Sequence, residues 1–304
     1  MASSGAAAPL HTTDLPLHLL HRGKVRDNYD MGDSLLMVTT DRVSAFDVGL
    51  PNAIPDKGRV LAGLSAFWFE KTRHIIRNHL LVLVKEAGQL RGFFPPGAAP
   101  PQYLEGRSLL VKKAQRLPVE WVVRGYLSGS AWEEYSHTGR VGEHALPAGL
   151  VESQKFPSPL FTPTTKADEG HDIPLTLAQL HKLVGEKLAA LLREKSLAIY
   201  SFAHEYALGR GIIIADTKME FGLDGQEPIL IDEVLTPDSS RFWDRSAYQP
   251  GKSQPSFDKQ PLRDWLLAQG WNKEPPAPQL PPEVVAQTAA LYRRAYEMLT
   301  GQEL

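Results

Sequence analysis

The chain has 304 residues, with 33 Lys and Arg against 35 Asp and Glu, which gives a formal net charge of -2. This balance excludes a general nucleic-acid binder or a polybasic membrane binder, because either would carry an excess of basic residues. The chain has no cysteine, so disulfides, zinc–thiolate sites, iron–sulfur clusters and a cysteine nucleophile are excluded too. The length is enough for one large domain or two ordinary ones.

The first residues of the sequence do not resemble a signal peptide. Met1–Pro9 is small and uncharged, without the basic start and apolar core of a signal peptide. No apolar run approaches the roughly 20 residues that cross a bilayer. We therefore expect a cytoplasmic protein that binds neither membranes nor nucleic acids, with residues 1–14 as a disordered tail.

Periodicity and turn residues predict the elements in chain order. The expected elements are a strand, glycine turn and strand over 17–40, a helix over 60–79, a loop over 91–101, strands at 108–111 and 119–123, a mobile loop over 162–174, a helix over 176–208, a hairpin over 211–235, and a last helix that starts at Pro281-Pro282 and ends before Gly301. Gly185 and Ser196 are expected to interrupt the long helix, and Gly209 to form its left-handed cap.

The most informative segment is the predicted hairpin. After three isoleucines, Asp216, Lys218 and Glu220 alternate with less polar residues, so the three charged side chains share one face of a strand. Asp232 and Glu233 follow the second apolar strand. Carboxylates that converge in this way repel each other unless a cation lies between them, and Mg²⁺ prefers such oxygen ligands. The alternative is a salt-bridged hairpin on the surface.

The register of this hairpin stays open at the level of sequence. A two-residue turn at Asp224-Gly225 pairs Glu220 with Ile229 and brings Glu220 beside Glu233. A bulge or a longer loop brings it beside Asp232 instead.

Three further segments are candidates for binding anions. Gly23-Lys24-Val25-Arg26 can cover a phosphate, because glycine lets the backbone approach and the basic residues supply charge, although an ordinary hairpin turn has the same sequence. Arg124 and Ser130 follow a strand and carry groups that bind phosphate monoesters, although a helix-capping loop is equally compatible. Arg241 comes just after the acidic strand, in a tight turn, which favours an anion-binding role.

Taken together, these segments resemble the phosphoribosylaminoimidazole-succinocarboxamide synthase (SAICAR synthase) family, in its longer, yeast-like branch. The resemblance runs in family order from about residue 17 to 300. It is carried by Gly23–Asp27, Thr40–Asp47, Val123–Tyr126, Ser130–Trp132, Phe161–Lys166, Ile214–Gly222, Leu230–Trp243, Asp258–Gln260 and Leu262–Trp265.

The resemblance implies an α+β fold, with a two-lobed layout related to the nucleotide-binding folds of protein kinases and ATP-grasp enzymes. It implies an N-terminal nucleotide-binding sheet domain over 15–115 and a larger α+β domain over 116–304 with the ribonucleotide and metal sites. The implied activity is an ATP-dependent C–N ligase of purine biosynthesis, which joins L-aspartate to 5-amino-1-(5-phospho-D-ribosyl)imidazole-4-carboxylate. The implied partners are these small molecules, with Mg²⁺, and no obligate protein partner.

The resemblance also implies roles for particular residues. Lys218 and Asp216 match positions beside the transferred phosphate, and Glu220 and Asp232 match the metal carboxylates, which favours the bulged register. The implied ATP contacts are Gly23, Lys24, Arg26, Lys112 and Lys113. The implied substrate contacts are Arg124, Ser130, Arg241, Lys166, Lys259 and Arg263.

Two other functions compete with this interpretation. A kinase-like enzyme that transfers phosphate to an alcohol would need a catalytic-loop His-Arg-Asp, which the sequence lacks. A non-enzymatic nucleotide-binding protein would not need both the carboxylate pair and the pair Arg124 and Arg241.

Overall fold

The computed structural model describes residues 8–46, 48–166 and 172–304. Within them the strands are β1 Leu19–Arg22, β2 Arg26–Asp30, β3 Ser34–Thr39, β4 Arg42–Ala45, β5 Val48–Ala53, β6 Leu80–Leu83, β7 Ser108–Lys112, β8 Gln115–Arg116, β9 Val119–Tyr126, β10 Arg140–Val141, β11 His144–Ala145, β12 Lys155–Phe161, β13 Thr164–Thr165, β14 Ile212–Asp224, β15 Glu227–Ile231 and β16 Ser240–Asp244. The α-helices are α1 Lys57–Thr72, α2 Ser130–Thr138, α3 Leu177–Val184, α4 Glu186–Leu208, α5 Gln260–Ala268 and α6 Pro282–Thr300. Helices therefore accompany antiparallel sheets, and the predicted α+β class is confirmed.

Residue contacts divide the chain into two compact units. The first contains the described residues up to Phe67, Leu80–Lys113 and Phe257–Leu304, and the second contains Trp68–His79 and Ala114–Ser256. The sequence-based division at 115/116 placed the C-terminal segment with the second domain. It differs from this grouping because α5 and α6 pack their apolar side chains against the β4–β5 hairpin of the first unit.

The first unit is built on a five-stranded antiparallel sheet in the order β1-β2-β3-β7-β6. Alternating side chains of β3 and β7 pack against residues of the first half of α1, in a cluster that contains Met37, Ala62 and Val111. The predicted strand, glycine turn and strand are confirmed, since β1 and β2 pair with Arg22 opposite Asp27.

The predicted disordered tail is wrong for residues 8–14, while 1–7 lie outside the described residues. Leu10 packs against the apolar cluster around Tyr29 and Leu36, and its backbone N–H donates to Asp41 at 2.8 Å. The Thr13 hydroxyl is buried and donates to Asp27 at 2.7 Å. Composition does not predict these contacts, because they join individual residues of the segment to residues far away in the sequence.

The second unit is built on a seven-stranded sheet with β9 and β14 at its centre. The path β12-β9-β14-β15 is joined by β13 on β9 and by β8 and β16 on β14. Thr164-Thr165, inside the predicted mobile loop, pairs with β9, and residues 167–171 of that loop lie outside the described residues, as does Asp47 of the Thr40–Asp47 motif.

The predicted helices are present, but the structure differs from the prediction at one interior position and at two helix ends. Gly185 separates α3 from α4 as predicted, but Ser196 does not interrupt α4, because its hydroxyl bonds back to the Leu192 carbonyl at 2.7 Å. Gly209 has a right-handed φ of -65°, and the left-handed residue is Gly211, with φ 83°. The helix predicted over 60–79 is α1, which ends at Thr72, because the backbone of 77–79 bonds to Leu230 instead.

Helix α4 packs on one face of the central strands, and Gly125 permits its close approach. A Cβ at Gly125 would overlap the hydroxyl of Tyr200, which donates to the Ile214 carbonyl at 2.7 Å. Among the described residues, no helix is long and apolar enough to span a membrane.

We predict that Gly125→Ala destabilises the fold, because the added methyl group forces Tyr200 off its carbonyl partner. The expected loss in the free energy of unfolding is about 2 kcal/mol or more, measured by chemical denaturation. Gly209→Ala is the matched control: it lies at the end of α4 with a right-handed φ and ordinary contact distances, and should change stability little. Equal effects at both positions would contradict this account.

Candidate active site

One face of the β9–β14 pair carries a set of charged side chains in the second unit. The antiparallel register sets Asp216 opposite Arg124 and Lys218 opposite Val122, so even-numbered residues of both strands share this face. On the other side of β14, Asp216 pairs with Arg241 of β16. The predicted grouping of Asp216, Lys218 and Glu220 on one strand face agrees with this register.

Asp216 lies between two arginines. The residue is 5% exposed, and its Oδ2 atom accepts a hydrogen bond from Arg241 Nη1 and another from Arg124 Nη1 at 3.4 Å. Arg124 also donates to the Thr162 hydroxyl at 3.0 Å and to the Ser130 hydroxyl at 3.4 Å. Burial lowers the pKa of Arg124, and Arg241 adds to that effect while Asp216 opposes it.

The turn before α2 is shaped around Arg241. Gly129 has a φ of 57°, and a Cβ at this position would overlap the Arg241 guanidinium. Glycine therefore allows both the backbone conformation and the close approach. The result is that two guanidinium groups, the Ser130 hydroxyl and the start of α2 lie together, an arrangement suited to an anion.

Next to this cluster, lysines and glutamates alternate. Glu120 of β9, 3% exposed, accepts hydrogen bonds at Oε1 from Lys166 at 2.8 Å and Lys218 at 3.2 Å. Lys166 also forms a 2.8 Å ion pair with Glu220. The charges therefore run in the order Lys218, Glu120, Lys166, Glu220.

The ionisation of this row follows from its pairing. Burial raises the pKa of Glu120, but Lys218 and Lys166 outweigh that effect and hold the pKa below its usual range. Burial lowers the pKa of Lys166, but Glu220 and Glu120 outweigh it and raise the pKa above its usual range. Glu120 and Lys166 are therefore both charged near neutral pH.

The structure resolves the register of the hairpin, and the strict turn prediction is wrong by two residues. The two-residue turn is Gly225-Gln226, with Glu220 opposite Ile231 and no bulge in the ladder. Strand β15 then ends at Ile231, and Asp232 has a left-handed φ of 64°. The chain thus reaches Asp232 by leaving the ladder, which neither sequence-based alternative foresaw.

Glu220 and Asp232 fit a magnesium ion by their chemistry. Glu220 lies opposite Ile231, the residue just before Asp232, and Glu220 already binds a cationic group, the ammonium of Lys166. Among the described residues, no cluster of three or more acidic or histidine side chains could hold a metal by itself. Two carboxylates nevertheless suffice for Mg²⁺, which commonly takes its remaining ligands from substrate phosphates and water.

The glycine turn lies in the first unit, where the Arg42 side chain donates hydrogen bonds to the carbonyl groups of the turn. Gly23 N–H donates to the Arg26 carbonyl at 2.8 Å and closes the turn. The Arg42 guanidinium donates to the carbonyls of Gly23 and Lys24, at 2.9 and 3.2 Å, and to Asp27 at 2.7 Å. The turn therefore has a fixed shape.

The remaining predicted site residues also lie in the first unit. Lys112 pairs with Ser34, at the other end of the sheet from the glycine turn, and Lys113 forms a 2.6 Å ion pair with Asp30. Lys259 precedes α5 and is 9% exposed. Arg263, on the first turn of α5, bonds to Asp258 at 3.1 Å. The structure thus groups Arg124, Ser130, Lys166, Asp216, Lys218, Glu220, Asp232 and Arg241 in the second unit, and the others in the first.

Comparisons with known proteins identify the family. The family model described as SAICAR synthetase matches residues 19–278. A phosphoribosylaminoimidazole-succinocarboxamide synthase from Thermodesulfovibrio yellowstonii is 52% identical over 292 residues, which cover 96% of this chain and 98% of that protein. This chain belongs to the SAICAR synthase family.

Solved structures of SAICAR synthases agree with the fold. The enzyme from Saccharomyces cerevisiae, in complex with SAICAR, has a TM-score of 0.88 at 46% identity and covers 97% of this chain and 99% of its own. A type-2 SAICAR synthetase in complex with ADP has a TM-score of 0.65 at 25% identity, covering 93% and 98%. The predicted resemblance to the yeast-like branch is confirmed.

Sequence reasoning missed two residues, one in each unit, that hold predicted site residues of this SAICAR synthase family member in place. Glu120 interrupts an otherwise apolar strand four residues before Arg124, so period 2 places both on one face, and that spacing was a usable signal. Arg42 was noted only as part of a motif. Its bonds go mainly to backbone carbonyls of the glycine turn, and no sequence pattern announces such contacts.

We predict that Asp27→Asn makes the free energy of unfolding of this SAICAR synthase family member less sensitive to low pH. Asp27 is fully buried and its pKa lies below the ordinary 3.8, because the Arg42 and Thr13 hydrogen bonds outweigh the opposing effect of burial. The stabilisation is therefore complete above about pH 4 and is lost as the pH falls through the lower folded-state pKa. Chemical denaturation at pH 7 should show a loss of about 2 kcal/mol in the variant.

The gap between the variant and the unsubstituted chain should narrow below pH 4. Asp30→Asn on the same strand is the control, because the Asp30 side chain is partly exposed and its ion pair with Lys113 contributes little. A gap at Asp27 that stays constant down to pH 2 would refute the assignment.

Proposed function

We propose that this chain joins L-aspartate to the carboxylate of 5-amino-1-(5-phospho-D-ribosyl)imidazole-4-carboxylate, with ATP as the energy source, and releases SAICAR, ADP and phosphate. Membership of the SAICAR synthase family over nearly the whole chain supports this reaction. The observation in the structure that carries it is the face where Arg124, Arg241 and Asp216 adjoin the row from Lys218 to Glu220.

The reaction has to overcome the stability of a carboxylate. Its oxygen does not leave, so we infer that the γ-phosphoryl group of ATP is first transferred to it, which gives an acyl phosphate and ADP. The amine of aspartate then attacks the acyl carbon, the amide bond forms, and phosphate leaves with the oxygen. No nucleophile from the protein is needed, in keeping with a chain without cysteine.

The arginine cluster is assigned to the ribonucleotide. Arg124, Ser130 and Arg241 present guanidinium and hydroxyl donors to its phosphate and carboxylate groups. Asp216 bonds to both guanidinium groups and thereby fixes their separation before substrate arrives. Lys166, Lys259 and Arg263 are further substrate contacts in this proposal.

Lys218 is assigned to the transferred phosphoryl group. Its side chain is 46% exposed, so its ammonium group is accessible to a ligand, and Glu120 holds it on the charged face. A fixed positive charge there stabilises the charge that develops on the phosphoryl oxygens.

Glu220 and Asp232 would hold Mg²⁺, which neutralises nucleotide oxygens when it is bound. Lys166 keeps Glu220 in place on the face. In the first unit, the glycine turn of Gly23, Lys24 and Arg26 is assigned to ATP contacts, with Lys112 and Lys113 as further contacts. The cytoplasmic location stays a prediction.

We predict that the purified chain releases ADP from ATP only when Mg²⁺, the carboxylated ribonucleotide and L-aspartate are all present at steady state. The chemistry requires this because the acyl phosphate is consumed only by the amine. A coupled ADP assay with each component omitted in turn measures it. ADP release at an equal rate without aspartate would point to a kinase-like phosphotransferase.

We predict that Lys218→Ala and Asp232→Asn each remove most of the turnover while the chain still folds. Losing one well-placed charged contact to a transition state typically costs about 3 kcal/mol, roughly a hundredfold in rate. Steady-state kinetics and thermal melting measure the two properties. Lys195→Ala, on the outer part of α4, is the control and should retain full turnover. Near-normal turnover in either variant would exclude the assigned role.

A further inference from the structure

Glu120 is buried but bonds to two lysine ammonium groups. Its side chain is 4% exposed, whereas that of Lys218 is 46% exposed and that of Lys166 is 24% exposed. Both ammonium groups contact the same oxygen, Oε1. The carboxylate is therefore enclosed by the protein, whereas the two lysines bonded to it are accessible.

A lysine side chain needs such a partner if its ammonium group is to act at a defined point. Four rotatable bonds give Lys218 many conformations in solvent, and ordering them costs free energy when a ligand binds. Glu120 projects from the neighbouring strand onto the same face, so the β9–β14 register itself fixes the acceptor for Lys218. The conformational entropy of the Lys218 side chain is then lost during folding rather than when a ligand binds.

Lys166 links the same carboxylate to Glu220. Its ammonium group lies 2.8 Å from Glu120 and 2.8 Å from Glu220. One buried carboxylate therefore holds two lysines, and through the second of them it restrains a carboxylate of the next strand.

We propose that Glu120 is a positioning residue, which acts on the ligation reaction by holding the Lys218 ammonium in place. The proposal rests on the proposed function of Lys218. Glu120 is not a catalytic residue in this account, because its carboxylate is enclosed and reaches the substrates only through the two lysines.

The test is a double-substitution cycle with Glu120→Gln and Lys218→Ala in the full-length chain. Glutamine keeps the shape of the side chain but removes the charge that holds the ammonium. We expect Glu120→Gln to lower kcat by about ten- to a hundredfold, as is typical for residues that orient a directly acting group. KM for the ribonucleotide should change less than kcat, because the arginine cluster is untouched and Lys166 keeps its ion pair with Glu220.

The cycle separates positioning from a structural role. If Glu120 acts through Lys218, adding Glu120→Gln to Lys218→Ala should lower kcat by less than about threefold further. If Glu120 merely stabilises the fold, the two losses should multiply and the melting temperature should fall in parallel. Multiplying losses, or an unchanged kcat in Glu120→Gln, would overturn the proposal.

Glu120→Asp is a second variant, which tests the proposal even if Glu120→Gln does not fold. It keeps the buried charge that the lysines need but withdraws it from Lys218. We expect kcat to fall while the melting temperature stays close to that of the unsubstituted chain. In the Lys218→Ala background, Glu120→Asp should lower kcat little further. A fall of kcat in Glu120→Asp that persists in that background would contradict the proposal.

Two controls make the outcomes distinct. Asp224→Asn removes a carboxylate from the far end of β14, where it pairs with exposed Arg77, and should leave kcat unchanged. Failure of the proposed function would appear as no aspartate-dependent ADP release by the unsubstituted chain. Failure of the present proposal would appear only in the variants, against a normally active parent.

Discussion

The antiparallel register of β9 against β14 is the constraint on which the charged face depends. It places Arg124 opposite Asp216 and brings Glu120 within reach of Lys218. A slip of one residue would turn the side chains of one of the two strands toward the face that packs on α4. Binding geometry and core packing are therefore specified by the same set of backbone hydrogen bonds.

The opposite face shows what holds that register. Trp121, Met219 and Phe221 are buried there, and Trp121 packs edge-on against Phe221 with ring centroids 5.6 Å apart. Apolar burial of this kind stabilises the sheet, whereas buried ion pairs such as Asp216 with its arginines contribute little net stability, because their desolvation is costly. The charged face is thus a functional feature that the apolar face supports.

Much of the charged face could be predicted from the alternation of charged and apolar residues in the sequence, whereas the rest required the three-dimensional structure. Period 2 placed Asp216, Lys218 and Glu220 together because a strand leaves no other choice. The hairpin turn contains Gly225, whose φ is 67°, and sequence alone did not decide between a strict turn at Asp224-Gly225 and a bulge or a longer loop. Likewise, the left-handed backbone at Asp232 is a local departure from the ladder, which period-based reasoning has no means to foresee.

Long-range packing accounts for the other differences. The C-terminal helices pack on the β4–β5 hairpin about 200 residues earlier in the chain, and one-dimensional patterns carry no record of such a pairing. Residues 8–14 were mistaken for a loose tail for the same reason. Their anchors are Asp41 and Asp27, which look like ordinary surface acids in the sequence.

The anchoring of that segment has a practical consequence. Arg42 donates to the His11 carbonyl at 2.6 Å with the same guanidinium that bonds to the carbonyls of Gly23 and Lys24. A shortened clone that starts at Leu15 would take away one of these acceptors, together with the Thr13 hydroxyl on Asp27. Expression vectors for crystallisation should therefore keep the residues from Pro9 onward, even though they belong to no helix or strand.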